Sequence, residues 1–376
     1  MPSQVNVLVV DDSAFMRQVI IKMLESDSEI KVVGYARDGQ EALDKIQRFK
    51  PNVVTMDVEM PGMNGYETLE KIMCQSPTPV LMLSAVTTNG AQATLKALEL
   101  GAVDFVAKPE KRADITQLAA ELPQKVKMAA RVSVVKICQR RNVKLNKITT
   151  PTADSAKPFP VIATTPMPVQ PPVLLPPKNA GSGKKGIEVV AVGTSTGGPA
   201  ALNTLISSLP ANLPAGVLIV QHMPVGFTAT LAQRLNDLGR MPVKEAEQGD
   251  IVQKGRALLA PAGWQMELVR ENGQVRINLS KESPVETLFK PSVDVLFLSV
   301  AKVYGSRSLG VVMTGMGSDG LRGLKAMKAQ QCCSIAEAES SCVVYGMPRS
   351  IVEAGLADKV VPLPKIAEEI VNFVTL

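Results

Sequence analysis

The chain has 376 residues, of which 45% are hydrophobic and 20% are charged. Single domains usually contain about 100–200 residues, so this length predicts two domains and a connector. No apolar run approaches the roughly 20 residues that span a bilayer, and the first ten residues lack the features of a signal peptide. We therefore expect a soluble, cytoplasmic protein without membrane insertion.

The net charge of +6 suggests nucleic-acid binding as one alternative, because Lys and Arg neutralise phosphates in DNA-binding proteins. The basic residues are densest between Lys125 and Lys147, but aromatic residues that stack on bases make up only 3% of the chain. We expect no nucleic-acid partner, and a gel shift would test that alternative. The five cysteines form no C-x-x-C pair and are an odd number, which predicts reduced thiols.

The first part of the chain alternates short β-branched runs with helical stretches, a pattern typical of a parallel sheet wrapped by helices. Helices are predicted at Ser13–Ser26 and Ala91–Leu100, among other stretches. The pattern predicts one doubly wound domain over residues 1–128. The strand candidates are Val5–Val10, Lys31–Ala36, Val53–Asp57, Val80–Ser84 and Asp104–Ala107.

The composition changes after residue 128, where a basic stretch precedes a proline-rich one between Pro151 and Pro177. This segment lacks apolar periodicity, so residues 129–186 are interpreted as a linker. A second α/β pattern fills residues 187–376, with a β-ribbon predicted at Gln265–Leu279 around an Asn-Gly turn. Its strand candidates are Ile187–Val192, Gly216–Gln221, Arg256–Ala260, Ser308–Met313 and Cys332–Ala336.

Three acidic residues stand at strand ends of the first domain, Asp11 and Asp12 after the first strand and Asp57 at the end of the third. The carboxyl ends of adjacent parallel strands border one crevice, so these carboxylates should converge. Clustered carboxylates with room for water suit Mg²⁺. Ser84 and Lys108, at the ends of two further strands, could hold phosphoryl oxygens. The alternative is that the aspartates are helix N-caps and turn residues.

Residues 5–128 resemble a two-component response-regulator receiver domain, which implies a flavodoxin-like (βα)5 fold. The resemblance lies in Asp11-Asp12-Ser13, the stretch MDVEMPGMNG from Met56, Ser84-Ala85 and Lys108-Pro109. It implies that Asp57 accepts a phosphoryl group from a histidine kinase, and that Asp11, Asp12 and Asp57 hold Mg²⁺. It also implies that Ser84, Phe105 and Lys108 form the receiver switch.

In the second domain, the first strand runs into the Gly-rich segment GTSTGGP, which contains Ser195 and precedes an apolar helix around Ala200–Leu209. A serine on such a turn is exposed near backbone N–H groups that can stabilise an oxyanion, and Gly193 to Gly197 fits G-x-S-x-G. Gly-rich turns also bind phosphates. The P-loop and dinucleotide-binding signatures are, however, absent from this one.

The serine needs a base, and His222 is the one histidine of the chain. A lone histidine is more often structural. However, His222 follows the strand Gly216–Gln221, and neighbouring parallel strand ends lie close enough for a hydrogen bond to Ser195. Asp319, in the loop after Ser308–Met313, can accept from the His222 ring. The alternative makes Asp319 the N-cap of a helix starting near Leu321, a role compatible with catalysis.

Residues 187–376 resemble the catalytic domain of the chemotaxis methylesterase (CheB) family, which implies a doubly wound α/β/α fold with a mostly parallel sheet. It implies that Ser195 is the nucleophile, His222 the base and Asp319 the orienting acid, with the Met316 backbone N–H and Thr196 at the oxyanion. The matching segments are GTSTGGP from Gly193, QHMPVGF from Gln221, PAG from Pro261, PSVDVLF from Pro291, TGMGSDG from Thr314 and AESSCVVYGMP from Ala338.

The resemblance implies phosphorylation-regulated hydrolysis of glutamate methyl esters on methyl-accepting chemotaxis receptors, releasing methanol without a cofactor, and often deamidation of receptor glutamines. We expect a monomer whose receiver packs over the Ser195 mouth until Asp57 is phosphorylated. The stretch Glu286–Lys290 is less polar than is common in the family, and the linker is unusually rich in proline. A noncatalytic regulator whose second domain binds a partner remains an alternative, which a methanol-release assay would separate.

Overall fold

The computed structural model describes residues 4–85, 87–109, 112–134 and 186–375. Most of the segment interpreted as a linker, including Cys138, lies outside these ranges. Two parallel sheets with helices packed against them make up the described chain, which confirms the α/β fold class. Within the described residues, no helix combines the length and the apolar character that crossing a bilayer requires.

The first sheet has five strands, all paired in parallel, in the order β2-β1-β3-β4-β5 of flavodoxin-like folds. Four of the strands have the predicted bounds, and the second begins one residue earlier, at Ile30. The strands are β1 (Val5–Val10), β2 (Ile30–Ala36), β3 (Val53–Asp57), β4 (Val80–Ser84) and β5 (Asp104–Ala107), and the helices are α1 (Ala14–Glu25), α2 (Gly39–Phe49), α3 (Gly65–Gln75), α4 (Thr88–Leu100) and α5 (Arg112–Ala129).

Polar residues other than the clustered aspartates begin the first helices of this domain. Ser13 caps α1 by accepting from the Met16 N–H at 3.3 Å, and Asp38 caps α2. Asn64 and Glu67 form a reciprocal capping box at α3. The alternative that Asp11, Asp12 and Asp57 serve as helix N-caps is therefore wrong.

The second sheet has seven strands, all parallel, in the order β14-β13-β12-β6-β7-β9-β8. A separate antiparallel hairpin, β10-β11, confirms the predicted ribbon. The strands are β6 (Val189–Thr194), β7 (Gly216–Gln221), β8 (Val243–Glu245), β9 (Ala257–Leu259), β10 (Gln265–Glu271), β11 (Gln274–Ser280), β12 (Ser308–Val312), β13 (Cys333–Glu337) and β14 (Lys359–Val361), and the helices are α6 (Gly198–Ser208), α7 (Thr228–Leu238), α8 (Val293–Tyr304), α9 (Leu321–Ala329), α10 (Met347–Glu353) and α11 (Leu363–Thr375).

Apart from β7, the observed bounds of the predicted strands in this sheet differ from the prediction by one or two residues, and two edge strands were not predicted. The strand predicted to end at Val192 continues to Thr194, because Gly193 and Thr194 pair with Val220 and Gln221 of β7. The three-residue strands β8 and β14, at the two edges of the sheet, were not predicted. Segments this short carry too few residues to establish an alternating pattern.

The two domains pack against each other through α4, which contacts α6 and α7, and through β5, which contacts the residues just before these two helices. The rings of Phe105 and Phe227 lie with centroids 4.6 Å apart, and both side chains are buried. Beside them, Glu99 accepts from Asn203 at 3.1 Å and pairs with Arg234 at 2.5 Å. This interface brings β5, an edge strand of the first sheet, against the turn that carries Ser195.

Candidate phosphoacceptor pocket and candidate active site

Asp11, Asp12 and Asp57 converge at the carboxyl edge of the first sheet, beside the β1–β3 switch point. One oxygen from each lies within 4.8 Å of the others. Local turns hold the two buried members, since Asp11 Oδ1 accepts from the Ser13 N–H at 2.9 Å and Asp57 Oδ1 from the Glu59 N–H at 3.2 Å. Asp12 is exposed. The turn role considered for these residues and the clustering therefore coexist.

Lys108 supplies the positive charge of this pocket. Its Nζ lies 2.8 Å from Asp11 Oδ2 and 2.6 Å from Asp57 Oδ2. Burial raises the pKa of Asp57 to about 6 although Lys108 acts to lower it, because the loss of hydration outweighs the ion pair. Burial would lower the pKa of Lys108, but Asp57 and Asp11 raise it above its usual value.

Asp12 and Asp57 border an open depression of about 700 Å³, lined on its other sides by Glu59, Asn64 and Asn89 among others, and Asp11 lies buried behind them. Three hard oxygen ligands with adjacent room for water match the coordination that Mg²⁺ requires. The residues present therefore fit a magnesium ion, and Asp11, Asp12 and Asp57 would hold it. Lys108 stands where it can pair with the oxygens of a phosphoryl group on Asp57.

The two other predicted switch residues occupy different places. Ser84 is fully buried at the end of β4, and its Oγ donates to the Gly90 carbonyl at 3.2 Å. Phe105 lies on β5 in the domain interface, against Phe227. The β4–β5 ladder connects them, with Ser84 opposite Ala107.

The turn that carries Ser195 stands at the carboxyl edge of the second sheet, directly after β6. The register pairs Thr194 with Gln221, and the His222 N–H donates to the Thr194 carbonyl at 3.1 Å. Ser195 and His222 are thus the first residues beyond two paired strands. Ser195 is half-buried, and its N–H donates to the Thr314 carbonyl at 3.0 Å. This bond brings the loop that follows β12 to the same edge of the sheet.

His222 is held on one ring nitrogen and one ring face. Its Nε2 lies 2.7 Å from Asp319 Oδ2, and its ring stacks on Phe289 with centroids 4.0 Å apart and planes 8° apart. Nδ1 is buried without a hydrogen-bond partner in the described part of the chain. With Nε2–H donating to Asp319, the Nδ1 lone pair is the one available to a neighbouring hydroxyl.

Asp319 accepts a set of hydrogen bonds at the beginning of α8. Besides His222, Oδ2 accepts from the Val293 N–H at 2.7 Å, and Oδ1 accepts from the Ser292 hydroxyl at 2.9 Å and the Asp294 N–H at 3.0 Å. Burial acts to raise the pKa of Asp319, but His222 and these N–H groups outweigh it and hold the pKa below its usual value. The carboxylate therefore stays ionised beside the imidazole.

The N-cap role considered for Asp319 belongs to a different residue. The helix α9 begins at Leu321 after Gly320, without a side-chain cap from Asp319. Asp294 Oδ1 instead accepts from the N–H groups of Gly320 and Gly323, at 3.0 and 2.7 Å. The first turns of α8 and α9 thus share two carboxylates, and Asp319 faces α8 and His222.

The loop between β12 and α9 approaches the Ser195 turn closely. A Cβ on Gly315 would lie 2.8 Å from the Ser195 Cβ and 2.4 Å from the Met347 sulfur, so only glycine permits the approach. Met316, the next residue, is half-buried in this loop. Its backbone therefore lies near the turn that carries the serine, as the predicted oxyanion role requires.

Thr196 connects the Ser195 turn to the other domain. Its hydroxyl donates to Asp104 Oδ2 at 2.6 Å, and it is 3% exposed. Lys125 pairs with the same Asp104 oxygen at 3.2 Å and donates to the Phe105 carbonyl at 2.7 Å. Lys125, the first cation of the dense basic segment, is thus engaged beside the interface.

Three residues at this site received no role from the sequence: Gln221, Phe289 and Ser292. Gln221 and Ser292 both lie within segments that carry the family resemblance, and Phe289 lies in the unusually apolar stretch before Pro291. Nothing in their spacing indicates the contacts that they make with Ser195, His222 and Asp319, respectively, because those contacts join distant parts of the chain.

An acidic pocket at the carboxyl edge of one parallel sheet, with Ser195, His222 and Asp319 at the carboxyl edge of another, fits the class of hydrolases governed by a receiver domain. Comparison with known families agrees. The CheB methylesterase profile matches residues 190–370, and the response regulator receiver domain profile matches residues 7–120.

Full-length relatives extend this match. The chain is 48% identical to a protein-glutamate methylesterase/protein-glutamine glutaminase of Moorella thermoacetica, with 99% of this chain and 98% of the relative aligned. It is 45% identical to a protein of the same name from Desulfitobacterium hafniense, over the same shares of both chains. This chain belongs to the CheB family of protein-glutamate methylesterases.

Proposed function

We propose that this chain removes methyl groups from glutamate methyl esters of chemotaxis receptors, with Ser195, His222 and Asp319 as its catalytic triad. Membership of the family supports the reaction. The observation that supports these residues is the environment of His222, which directly follows the strand paired with the one before Ser195. Asp319 holds its Nε2 at 2.7 Å, while its Nδ1 has no hydrogen-bond partner among the described residues.

In the first half of the reaction, Ser195 Oγ attacks the ester carbonyl carbon and His222 Nδ1 takes the hydroxyl proton. The resulting imidazolium is stabilised by Asp319, which remains ionised. The negative oxygen of the tetrahedral intermediate accepts from the Met316 backbone N–H, with Thr196 beside it. Collapse breaks the bond to the methoxy oxygen, which leaves as methanol with the proton from His222.

Water then attacks the acyl group on Ser195, with His222 as its base, and restores the serine and a glutamate side chain. The same steps act on an amide when ammonia replaces methanol as the leaving group. We therefore include deamidation of receptor glutamines in the proposal, in agreement with the glutaminase activity named for both relatives.

The receiver is proposed to restrain this site until Asp57 is phosphorylated by a histidine kinase, with Mg²⁺ held by Asp11, Asp12 and Asp57. Support comes from β5, a strand of four residues. At one end it leads into Lys108, which pairs with Asp57, and it carries Phe105 and Asp104, which contact the catalytic domain. Phosphorylation replaces the single negative charge of the Asp57 carboxylate with the roughly two charges of an acyl phosphate beside Lys108, and this added charge biases the position of the strand.

Methanol release from methylated receptors tests the proposal, with a small phosphodonor and Mg²⁺ present or omitted. Ser195→Ala and His222→Gln should each lower kcat by several orders of magnitude, as loss of a triad member does. Ser318→Ala is the matched control, because Ser318 is exposed in the loop beside Asp319 and should leave the rate unchanged. A Ser195→Ala rate within about tenfold of wild type would refute the assignment of the nucleophile.

A further inference from the structure

Gln221, the last residue of β7, makes hydrogen bonds to both partners of the proposed proton transfer. It is 2% exposed, and its Nε2 donates to the Ser195 carbonyl and to the His222 carbonyl, both at 2.9 Å. Its Oε1 accepts from the Thr194 hydroxyl at 2.6 Å. Two carbonyl acceptors require the NH₂ end of the amide, so its orientation is fixed by its neighbours.

These bonds lie where the β6–β7 ladder ends. The last paired residues are Thr194 and Gln221, and the last ladder hydrogen bond runs from the His222 N–H to the Thr194 carbonyl. Beyond it the two chains separate, one into the serine turn and one into the histidine segment. The Gln221 amide therefore takes the place of the next backbone hydrogen bond and ties the two segments together.

The Gly-rich turn is shaped around this amide. A Cβ on Gly198 would lie 1.9 Å from Gln221 Oε1 and 2.9 Å from the Thr194 Cβ, so a side chain there would displace the amide. The Gly198 N–H also donates to the Ser195 carbonyl at 2.8 Å, the same oxygen that Gln221 binds. Glycine at position 198 is thus explained by the space that Gln221 needs.

We propose that Gln221 is a positioning residue that fixes the separation of Ser195 and His222. It acts only through the two backbone carbonyls and the Thr194 hydroxyl, so it sets the geometry of proton transfer rather than taking part in it. This inference rests on the proposed triad. Since a misplacement of about 1 Å can cost about 100-fold in rate, loss of the amide should appear mainly in kcat.

The test uses the full-length protein with Mg²⁺ and a small phosphodonor. Gln221→Met keeps the length and apolar volume of the side chain and removes both donors. We expect kcat for methanol release to fall about 10- to 100-fold, with KM within about threefold of wild type. Because the chain has one histidine, the ring signals of His222 can be followed directly by NMR, and they should shift in this variant.

Ser334→Ala is the matched control for a lost buried polar group. Ser334 is fully buried near the amino end of β13, away from the carboxyl edge of the sheet, and hydrogen-bonds Asp358 and the Leu356 carbonyl. The Ser334→Ala variant should have a lower melting temperature, with kcat and the NMR signals of the His222 ring unchanged. If Gln221→Met behaves like this control, Gln221 is only structural and the inference is overturned.

Thr194→Val covers the case in which Gln221→Met does not fold. Valine has nearly the same shape as threonine, and the substitution removes the hydroxyl that donates to Gln221 Oε1 at 2.6 Å and lies 3.4 Å from the Val220 carbonyl. We expect kcat to fall about three- to tenfold at unchanged KM. An unchanged kcat would overturn the inference. Ser195→Ala separates failure of the proposed triad from failure of the positioning role. If Ser195→Ala stays active, the triad itself is wrong. If it is inactive while the Gln221 and Thr194 variants are fully active, only the positioning role is rejected.

Discussion

Asp319→Asn gives a sharp test of the proposed triad, because the structure predicts which way the new amide will point. The carboxylate accepts from His222 and the Val293 N–H at Oδ2, and from Ser292 and the N–H groups of Asp294 and Gly320 at Oδ1. An NH₂ group at the Oδ1 position would face two backbone N–H donors. At the Oδ2 position it would face one.

The second orientation is favoured, since each lost hydrogen bond to a charged acceptor costs about 1.5–3 kcal/mol. The NH₂ group then points at His222 Nε2, which must become an acceptor, and the ring proton moves to Nδ1. Nδ1 can no longer take the proton of Ser195. We expect kcat to fall about 10⁴-fold, the loss known for a triad held in the wrong tautomer, and the folded state to lose about 1.5–3 kcal/mol.

Methanol release measures the rate, and ¹⁵N NMR of the sole histidine reports which ring nitrogen carries the proton. Asp294→Asn is the control, because its Oδ1 caps α9 and its amide can turn the NH₂ group away from Gly320 and Gly323. It should stay within a few-fold of wild type. A variant Asp319→Asn that keeps Nε2 protonated, or that loses less than about tenfold in kcat, refutes the reasoning.

Three further predictions concern the receiver. The pKa of Asp57 is raised from 3.8 to about 6, so the folded state binds more protons than the unfolded state in that window and loses stability as the pH rises through it. Asp57→Asn should therefore stabilise the metal-free protein at pH 7 by about 1–3 kcal/mol in chemical denaturation, but not at pH 4; destabilisation at pH 7 would contradict this. Mg²⁺ should raise the melting temperature of wild type more than that of Asp12→Asn, and equal shifts would argue against the aspartate site. Glu99→Ala removes the contacts to Asn203 and Arg234, about 1 kcal/mol of interface energy, and should raise the unphosphorylated rate about two- to fivefold, with exposed Glu70→Ala as control. An unchanged basal rate would mean that these contacts do not restrain the enzyme.

The strands near the sheet centres could be predicted because parallel strands buried on both faces read as continuous apolar runs. Four of the five receiver strands and β7 have their predicted bounds. The edge strands β8 and β14 could not, because three residues carry no detectable period and their pairing depends on neighbours far along the chain. The extension of β6 to Thr194 has the same origin, in its register with Gln221.

The residues of the candidate site, like the strands, could be predicted only in part. The sequence alone determined which residue types stand at strand ends, since strand–turn–helix alternation is local, and this made Ser195, His222 and Asp57 the candidate residues. The contacts of Gln221 and Ser292, the helix that Asp319 faces, and the contact of Asp104 with Thr196 were decided only by the tertiary structure. Each of these is a hydrogen bond between segments distant in sequence, whose geometry exists only after the sheets have formed and packed.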